Sequence, residues 1–166
     1  QVSSFLENQL LSSEESARTR QTKLLRHFIL GTAEYLIGAY DNSYKHMLQA
    51  GHILEENNGL LVNREDLYIR IMANQVLTNI RAGKRSDAEA HLMKFEEYNI
   101  STKSLNPYRN YISYILRLML LNTSLQYNEA VDMIRKNEPW VTVHENKIIK
   151  QGVLPQEQFY SIFQKA

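Results

Sequence analysis

The sequence of 166 residues contains no cysteine, only three prolines and only six glycines. The absence of cysteine excludes disulfides, thiolate metal sites and cysteine nucleophiles. Proline and glycine interrupt helices, and their scarcity disfavours a β-sandwich with many turns. Leu, Glu, Ala, Gln and Arg, which are good helix formers, are abundant. We therefore predict an all-α protein.

The sequence also lacks an excess of charge of either sign and lacks long apolar runs. The formal net charge is +1, which gives no bulk electrostatic reason to expect nucleic-acid binding. The most apolar stretch, 111–121, is interrupted by Ser113 and Arg117 and is shorter than the ~20 residues that a membrane span needs. We expect no membrane span and a cytoplasmic location. The chain begins with Gln1 and has no signal peptide, which favours a fragment or a processed form.

Enzyme and metal motifs are missing as well. The sequence has no phosphate-binding glycine loop, no His-Glu-x-x-His and no Gly-x-Ser-x-Gly. None of the five histidines has a glutamate three positions before it, which argues against a di-iron bundle. The pairs Asp87/His91 and His52/Glu56 are too few ligands for a metal site. We expect a protein that is not an enzyme and that needs no metal or cofactor.

Three short patches recur along the chain at a nearly constant distance. They contain Met47, Ala88 and Ala130, which are 41 and 42 residues apart. A fixed period of this size is typical of stacked helical hairpins. The pattern predicts a solenoid of antiparallel helix hairpins in a single domain, 1–166. Its parts are three repeats at about 13–57, 63–99 and 106–139 and a C-terminal capping segment, 140–166.

Local signals place the helix boundaries. The polar run Asp41-Asn42-Ser43 predicts a break after a long first helix, with Ser43 as the N-cap of the second. Gly83 predicts the turn of the second hairpin. Asn106-Pro107, a cap residue followed by proline, predicts the start of the third.

The second repeat resembles the tetratricopeptide repeat family. The match is Gly83-Lys84-Arg85-Ser86-Asp87-Ala88 with Leu92 and Phe95 behind it, and Tyr127, Ala130 and Ile134 are similar in the third repeat. Tyr44 and Met47 match two of the same sites in the first. The family repeat is about 34 residues, so the longer period here implies longer helices. The resemblance implies a right-handed superhelix that binds a protein or peptide on the concave surface of the first helices.

Two polar stripes are candidate binding residues. Arg70, Asn74, Thr78 and Arg81 are spaced four, four and three apart, so they share one helix face. Asn110, Ser113 and Arg117 form a similar stripe in the third repeat. Side by side in a solenoid, the stripes would make an electropositive groove for an acidic peptide. The alternative is an ordinary solvated helix face.

These observations predict a protein- or peptide-binding scaffold or adaptor. The alternative is a ligand- or peptide-sensing regulatory domain of a larger transcriptional or signalling protein. That alternative rests on the absent initiator Met and on a basic run from Arg18 to His27.

Overall fold

The structure, a computed structural model, describes residues 20–137, which fall into two compact units, 20–91 and 92–137. These residues contain helices and no strand, so the all-α prediction is confirmed for them. The helices are α1 (Arg20–Leu36), α2 (Tyr40–Glu55), α3 (Asn58–Asn63), α4 (Glu65–Arg81), α5 (Arg85–Glu97), a 3-10 helix (Lys103–Leu105), α6 (Asn106–Thr123) and α7 (127–137).

In the first unit, α2 packs against both α1 and α4, and the short α3 contacts α2 and α4. Helices α1, α2 and α4 each contribute large side chains that are almost fully buried. Removing such side chains from water is the main favourable contribution to folding, about 25 cal/mol per Å² of apolar surface. The core of this unit includes Leu24, Leu30, Met47, Leu54, Ile69, Ile71 and Val76.

The contact between α1 and α2 is close because one of the facing residues is glycine. A Cβ atom on Gly31 would lie 2.8 Å from Cε of Met47. The buried hydroxyl of Ser43 donates a hydrogen bond of 2.7 Å to the carbonyl oxygen of Gly31. On the other side of α2, the buried amide of Gln75 donates to the carbonyl oxygen of Met47 at 3.2 Å. Backbone atoms of α1 and α2 therefore take part in the packing as acceptors.

In the second unit, α6 begins at Asn106 with proline in its first turn, as the Asn106-Pro107 pair predicts. Nine of its 18 residues are buried, all of them between Tyr108 and Leu120, which matches its apolar sequence. The buried set is Tyr108, Tyr111, Ile112, Tyr114, Ile115, Leu116, Leu118, Met119 and Leu120.

Helices α1, α4 and α6 all end in the same type of turn. The second residue after each helix has a left-handed backbone conformation: Gly38 with φ 82°, Gly83 with φ 72° and Leu125 with φ 58°. In each turn, the residue that follows the left-handed one donates its backbone N–H to the carbonyl oxygen of the residue five positions before it, at 2.9 to 3.0 Å. The left-handed residue itself bonds to the carbonyl three positions earlier. This pattern satisfies helix-end carbonyls and reverses the chain.

The turns define which positions of the hairpins are equivalent. Gly38, Gly83 and Leu125 are 45 and 42 residues apart. In this register Ala88 and Ala130 correspond to Ser43. The backbone N–H of each of these three residues donates to the carbonyl oxygen of the residue that directly follows the left-handed residue. The small position of the first hairpin is therefore Ser43, and the match to Met47 is wrong by one helical turn.

The predicted break at Asp41-Asn42-Ser43 is wrong for the same reason. The chain turns at Gly38, and α2 already begins at Tyr40. Glycine adopts the left-handed conformation without a steric cost, so it ends α1 before the polar run is reached. The turn at Gly83 is confirmed.

The predicted repeat boundaries extend beyond the described part of the chain. Residues 13–19 of the first repeat, residues 138–139 of the third and the capping segment 140–166 lie outside it. The single domain and its three repeat boundaries stay predictions.

The turn at Leu125 gives a first testable prediction. A left-handed conformation costs a non-glycine residue about 1–2 kcal/mol, and the side chain of Leu125, 71% exposed, has little packing to lose. We expect Leu125→Gly to raise the free energy of unfolding, measured by urea denaturation, by about 0.5–1 kcal/mol.

The matched control is Gly83→Ala, which introduces no steric contact because nothing lies within 4 Å of its Cβ position. This control is expected to lower stability by about 1 kcal/mol. A loss of stability in Leu125→Gly would contradict the shared turn geometry.

Candidate binding surface

The four candidate residues of α4 differ in exposure. Arg81 is exposed, Arg70 and Asn74 are half-buried, and Thr78 is fully buried. The Asn74 amide donates to the carbonyl oxygen of Arg70 at 2.9 Å. The Thr78 hydroxyl donates to the carbonyl oxygen of Asn74 at 2.8 Å. The hydroxyl of Thr78 is therefore hydrogen-bonded within its own helix and buried. Arg81 is the most accessible cation of the stripe.

In the second unit, Arg117 is paired with an acid. Its guanidinium makes a two-point contact with the Glu96 carboxylate, with Nε and Oε1 2.7 Å apart and Nη2 bonded to Oε2. The hydroxyl of Ser113 donates to the same Oε1. Arg109 donates to the carbonyl oxygens of Glu96 and Tyr98 at 2.8 and 3.0 Å. Arg117 thus belongs to a cluster that joins the end of α5 to α6.

Asn110 is exposed on α6 and accepts a hydrogen bond of 3.2 Å from Nε of Arg109. In the register of the turns, Asn110 and Arg117 correspond to Tyr68 and Gln75 of α4. They do not correspond to the Arg70–Arg81 stripe, so the register gives no support for a continuous groove made of the two stripes. A ligand-binding role for Asn110 and Arg117 stays a prediction.

The same register identifies a surface that the sequence analysis missed. The α4 stripe corresponds in α1 to four apolar residues: Leu25, Ile29, Ala33 and Leu36. Their helical spacing puts them on the side of α1 opposite Gly31, the residue that packs against Met47 of α2. Ile29 is 45% exposed and Leu36 is 66% exposed, and the next residue, Ile37, is 51% exposed. A helix with large apolar side chains on its outer face as well as its inner face is unusual for a surface helix.

Tyr35 connects the C-terminal ends of α1 and α4. Nε of Arg81 donates to its hydroxyl oxygen at 3.3 Å, and its ring lies against Tyr40 with centroids 5.6 Å apart. Burial raises the pKa of Tyr35 above its ordinary value, and the guanidinium of Arg81 offsets part of that rise. This contact places the head of Arg81 at the end of α1.

Two other side-chain pairs lie near this end of the unit. Asp41 and Lys84 form an exposed ion pair that lowers the pKa of the aspartate and raises the pKa of the lysine. The Tyr44 hydroxyl lies 2.7 Å from Nε2 of His91. Arg81, in contrast, has no carboxylate partner within the described residues.

No metal site is evident within residues 20–137, where no three His, Cys, Asp or Glu side chains are grouped so as to hold an ion. Nδ1 of His27 and Nδ1 of His46 are 3.1 Å apart, which joins α1 to α2. No helix in this part of the chain is both long enough and apolar enough to cross a membrane.

The Glu96 cluster gives a second prediction. Glu96→Ala removes the acceptor of Arg117 and Ser113, and we expect a loss of about 1–2 kcal/mol in unfolding free energy by urea denaturation. The matched control is Glu89→Ala, which breaks the exposed Arg85–Glu89 pair on α5. Its expected cost is only about 0.3–0.5 kcal/mol. Equal costs for the two variants would contradict a stabilising cluster at Glu96.

The raised pKa of Tyr35 gives a third prediction. Folding favours the protonated phenol, so its contribution to stability is present below about pH 10 and is lost as the pH rises through the folded-state pKa. Tyr35→Phe should therefore show a smaller alkaline loss of stability than the unaltered chain in urea denaturation at increasing pH. An equal alkaline loss in the two chains would contradict a raised pKa of Tyr35.

The Arg81 contact is tested in the same series. Arg81→Gln should move the NMR titration of the Tyr35 ring to a still higher pH, because the guanidinium lowers the pKa of this phenol. An unchanged titration would show that Arg81 does not contact Tyr35 in solution.

Comparison of the chain with protein-family models, with curated proteins and with solved structures finds no significant match.

Proposed function

We propose that this chain is a protein- or peptide-binding scaffold of the helical-repeat class, similar in design to tetratricopeptide repeats. The observation that carries the proposal is the turn shared by α1, α4 and α6. Gly38, Gly83 and Leu125 adopt the same left-handed conformation with the same two backbone hydrogen bonds. Equivalent turns at 45 and 42 residues are what consecutive hairpins of one repeat would have.

The packing in the first unit supports stacked hairpins. Helix α2 contacts its own hairpin partner α1 and also α4, the first helix of the next hairpin. In repeat proteins each unit buries its apolar face against its neighbours rather than around one central core. We propose that the hairpins continue this arrangement as a right-handed superhelix.

The outer face of α1 supports binding rather than a purely structural role. Leu25, Ile29, Ala33 and Leu36 form an apolar stripe along it, in which Ile29 and Leu36 are exposed and the other two are half-buried. Exposed apolar stripes of this kind are typical of interaction sites. In the proposed superhelix the first helices of the hairpins line the concave surface, so this stripe and the α4 stripe would both face a bound segment.

The proposal is tested by selecting binders for the full chain from a displayed library of random 12-residue peptides. Counter-selection against an unrelated helical protein of similar size and charge removes peptides that bind any helical surface. We expect selected peptides to bind the chain saturably with 1:1 stoichiometry in isothermal titration calorimetry. Affinities in the micromolar range, about −8 kcal/mol, would be ordinary for such a scaffold.

Failure to enrich any saturable peptide binder, together with the absence of a specific protein neighbour in crosslinking experiments, would contradict a scaffold function. The fold would be unaffected by that outcome, because the turns and the packing of α2 do not depend on a ligand.

A further inference from the structure

The C-terminal end of α1 combines apolar exposure with a cation. We define the end patch as Leu36, Ile37, Tyr40 and Arg81. Leu36 and Ile37 are 66% and 51% exposed, and they directly follow Tyr35, whose hydroxyl contacts Arg81. Leu36 and Arg81 also occupy equivalent positions, each two residues before the left-handed residue of its turn. Leu36 and Arg81 are therefore matching positions of two helices that the Tyr35–Arg81 contact joins.

The charge of the end patch is not balanced within the described residues. The contact with Tyr35 uses only Nε of Arg81, and Nη1 and Nη2 have no partner in this part of the chain. The hydroxyl of Tyr35 is an uncharged partner and leaves the positive charge in place. The nearby Lys84 is already paired with Asp41. One guanidinium thus lies at the end of α1 where two large aliphatic side chains are exposed.

This combination selects a definite ligand chemistry. A guanidinium presents its N–H groups in a planar fork that fits both oxygens of a carboxylate. Here Tyr35 orients that fork from the Nε side, which reduces the freedom that the side chain would lose on binding. Leu36 and Ile37 offer an apolar surface for an aliphatic or aromatic side chain of the same ligand.

We propose that the end patch binds a peptide segment that carries a carboxylate next to a large apolar side chain. The carboxylate is that of Asp, Glu or a free C-terminus, and it pairs with Arg81 while the apolar side chain packs on Leu36 and Ile37. This inference rests on the proposed peptide-binding function and names the class of peptide that the chain recognises.

The first experiment uses the peptides selected from the 12-residue library. Each is synthesised with its carboxylates and again with every Asp replaced by Asn, every Glu by Gln and the C-terminus amidated. Fluorescence anisotropy should show roughly tenfold weaker binding of the amide forms, the usual effect of losing a charge-assisted hydrogen bond. Arg81→Gln should bind the two forms about equally, because the cation that distinguishes them is gone.

The matched control for the charge is Arg135→Gln, which removes another exposed arginine. We expect less than a twofold change in its affinity for the carboxylate peptides. For the apolar part, Leu36→Gln should weaken binding at least tenfold, whereas Val62→Gln, at a similarly exposed apolar position of α3, should not. Circular dichroism of every variant checks that the helices are retained.

The second experiment tests whether another surface occupies the patch. Because the chain has no cysteine, Leu36→Cys and Val62→Cys provide single labelling sites. In the full chain, both should react with a maleimide at similar rates. Slow labelling at position 36 that speeds up on dilution would identify a second copy as the occupant. Slow labelling independent of concentration would identify another part of the same chain. Either result would overturn the proposal.

The outcomes separate this inference from the proposed function. Selected peptides that bind equally well as amides, or that bind Arg81→Gln and Leu36→Gln with unchanged affinity, would overturn the end patch and leave peptide binding intact. A selection that yields no binder would overturn both.

Discussion

The constraint on which the architecture depends is the reversal of the chain just after α1, α4 and α6. At each of these points a single residue takes the left-handed conformation, and two backbone hydrogen bonds satisfy carbonyls that the helix end leaves free. The next helix then starts two residues later in every case. Helix direction, the register of the hairpin and the identity of the facing residues all follow from that one backbone state.

The packing of α2 shows how the register is used. With the turn at Gly38, the small residues Gly31 and Ser43 face each other, so a hydroxyl can reach a main-chain carbonyl between the helices. On the other side of α2, the carbonyl oxygen of Met47 accepts a hydrogen bond from the side-chain amide of Gln75. A shift by one residue would move these polar groups to other faces of their helices. Buried polar groups left without partners are costly, and this cost favours the observed register over its neighbours.

The sequence predicted the all-α class of the described residues correctly and the register of the first turn wrongly. The scarcity of helix-breaking residues was enough to predict helices. Gly83 predicted the end of α4, and Asn106-Pro107 predicted the start of α6. The first turn was misplaced because Asp41-Asn42-Ser43 resembles a cap, whereas Gly38 needs no polar neighbours to end a helix. Leu125 carries no sequence signal for its conformation, since leucine rarely adopts a positive φ.

The candidate surface was predictable only in part. The polar stripe of α4 was found because charged residues at helical spacing are visible in a sequence. The apolar stripe of α1 was missed because Ile29 and Leu36 look like core residues until burial is known. An alignment of Gly38 with Gly83 would have paired Leu36 with Arg81 and pointed to the same end of the unit.

The central claim, that equivalent hairpins stack in order, is tested most directly by distances between spin labels at Leu36→Cys, Arg81→Cys and Thr123→Cys. These exposed residues occupy equivalent positions, two residues before each left-handed turn residue, and the chain has no other cysteine. Electron paramagnetic resonance on the three pairwise labelled chains should give similar 36–81 and 81–123 distances and a 36–123 distance that is clearly the longest. A 36–123 distance no longer than the other two would indicate a closed bundle and contradict the stacking.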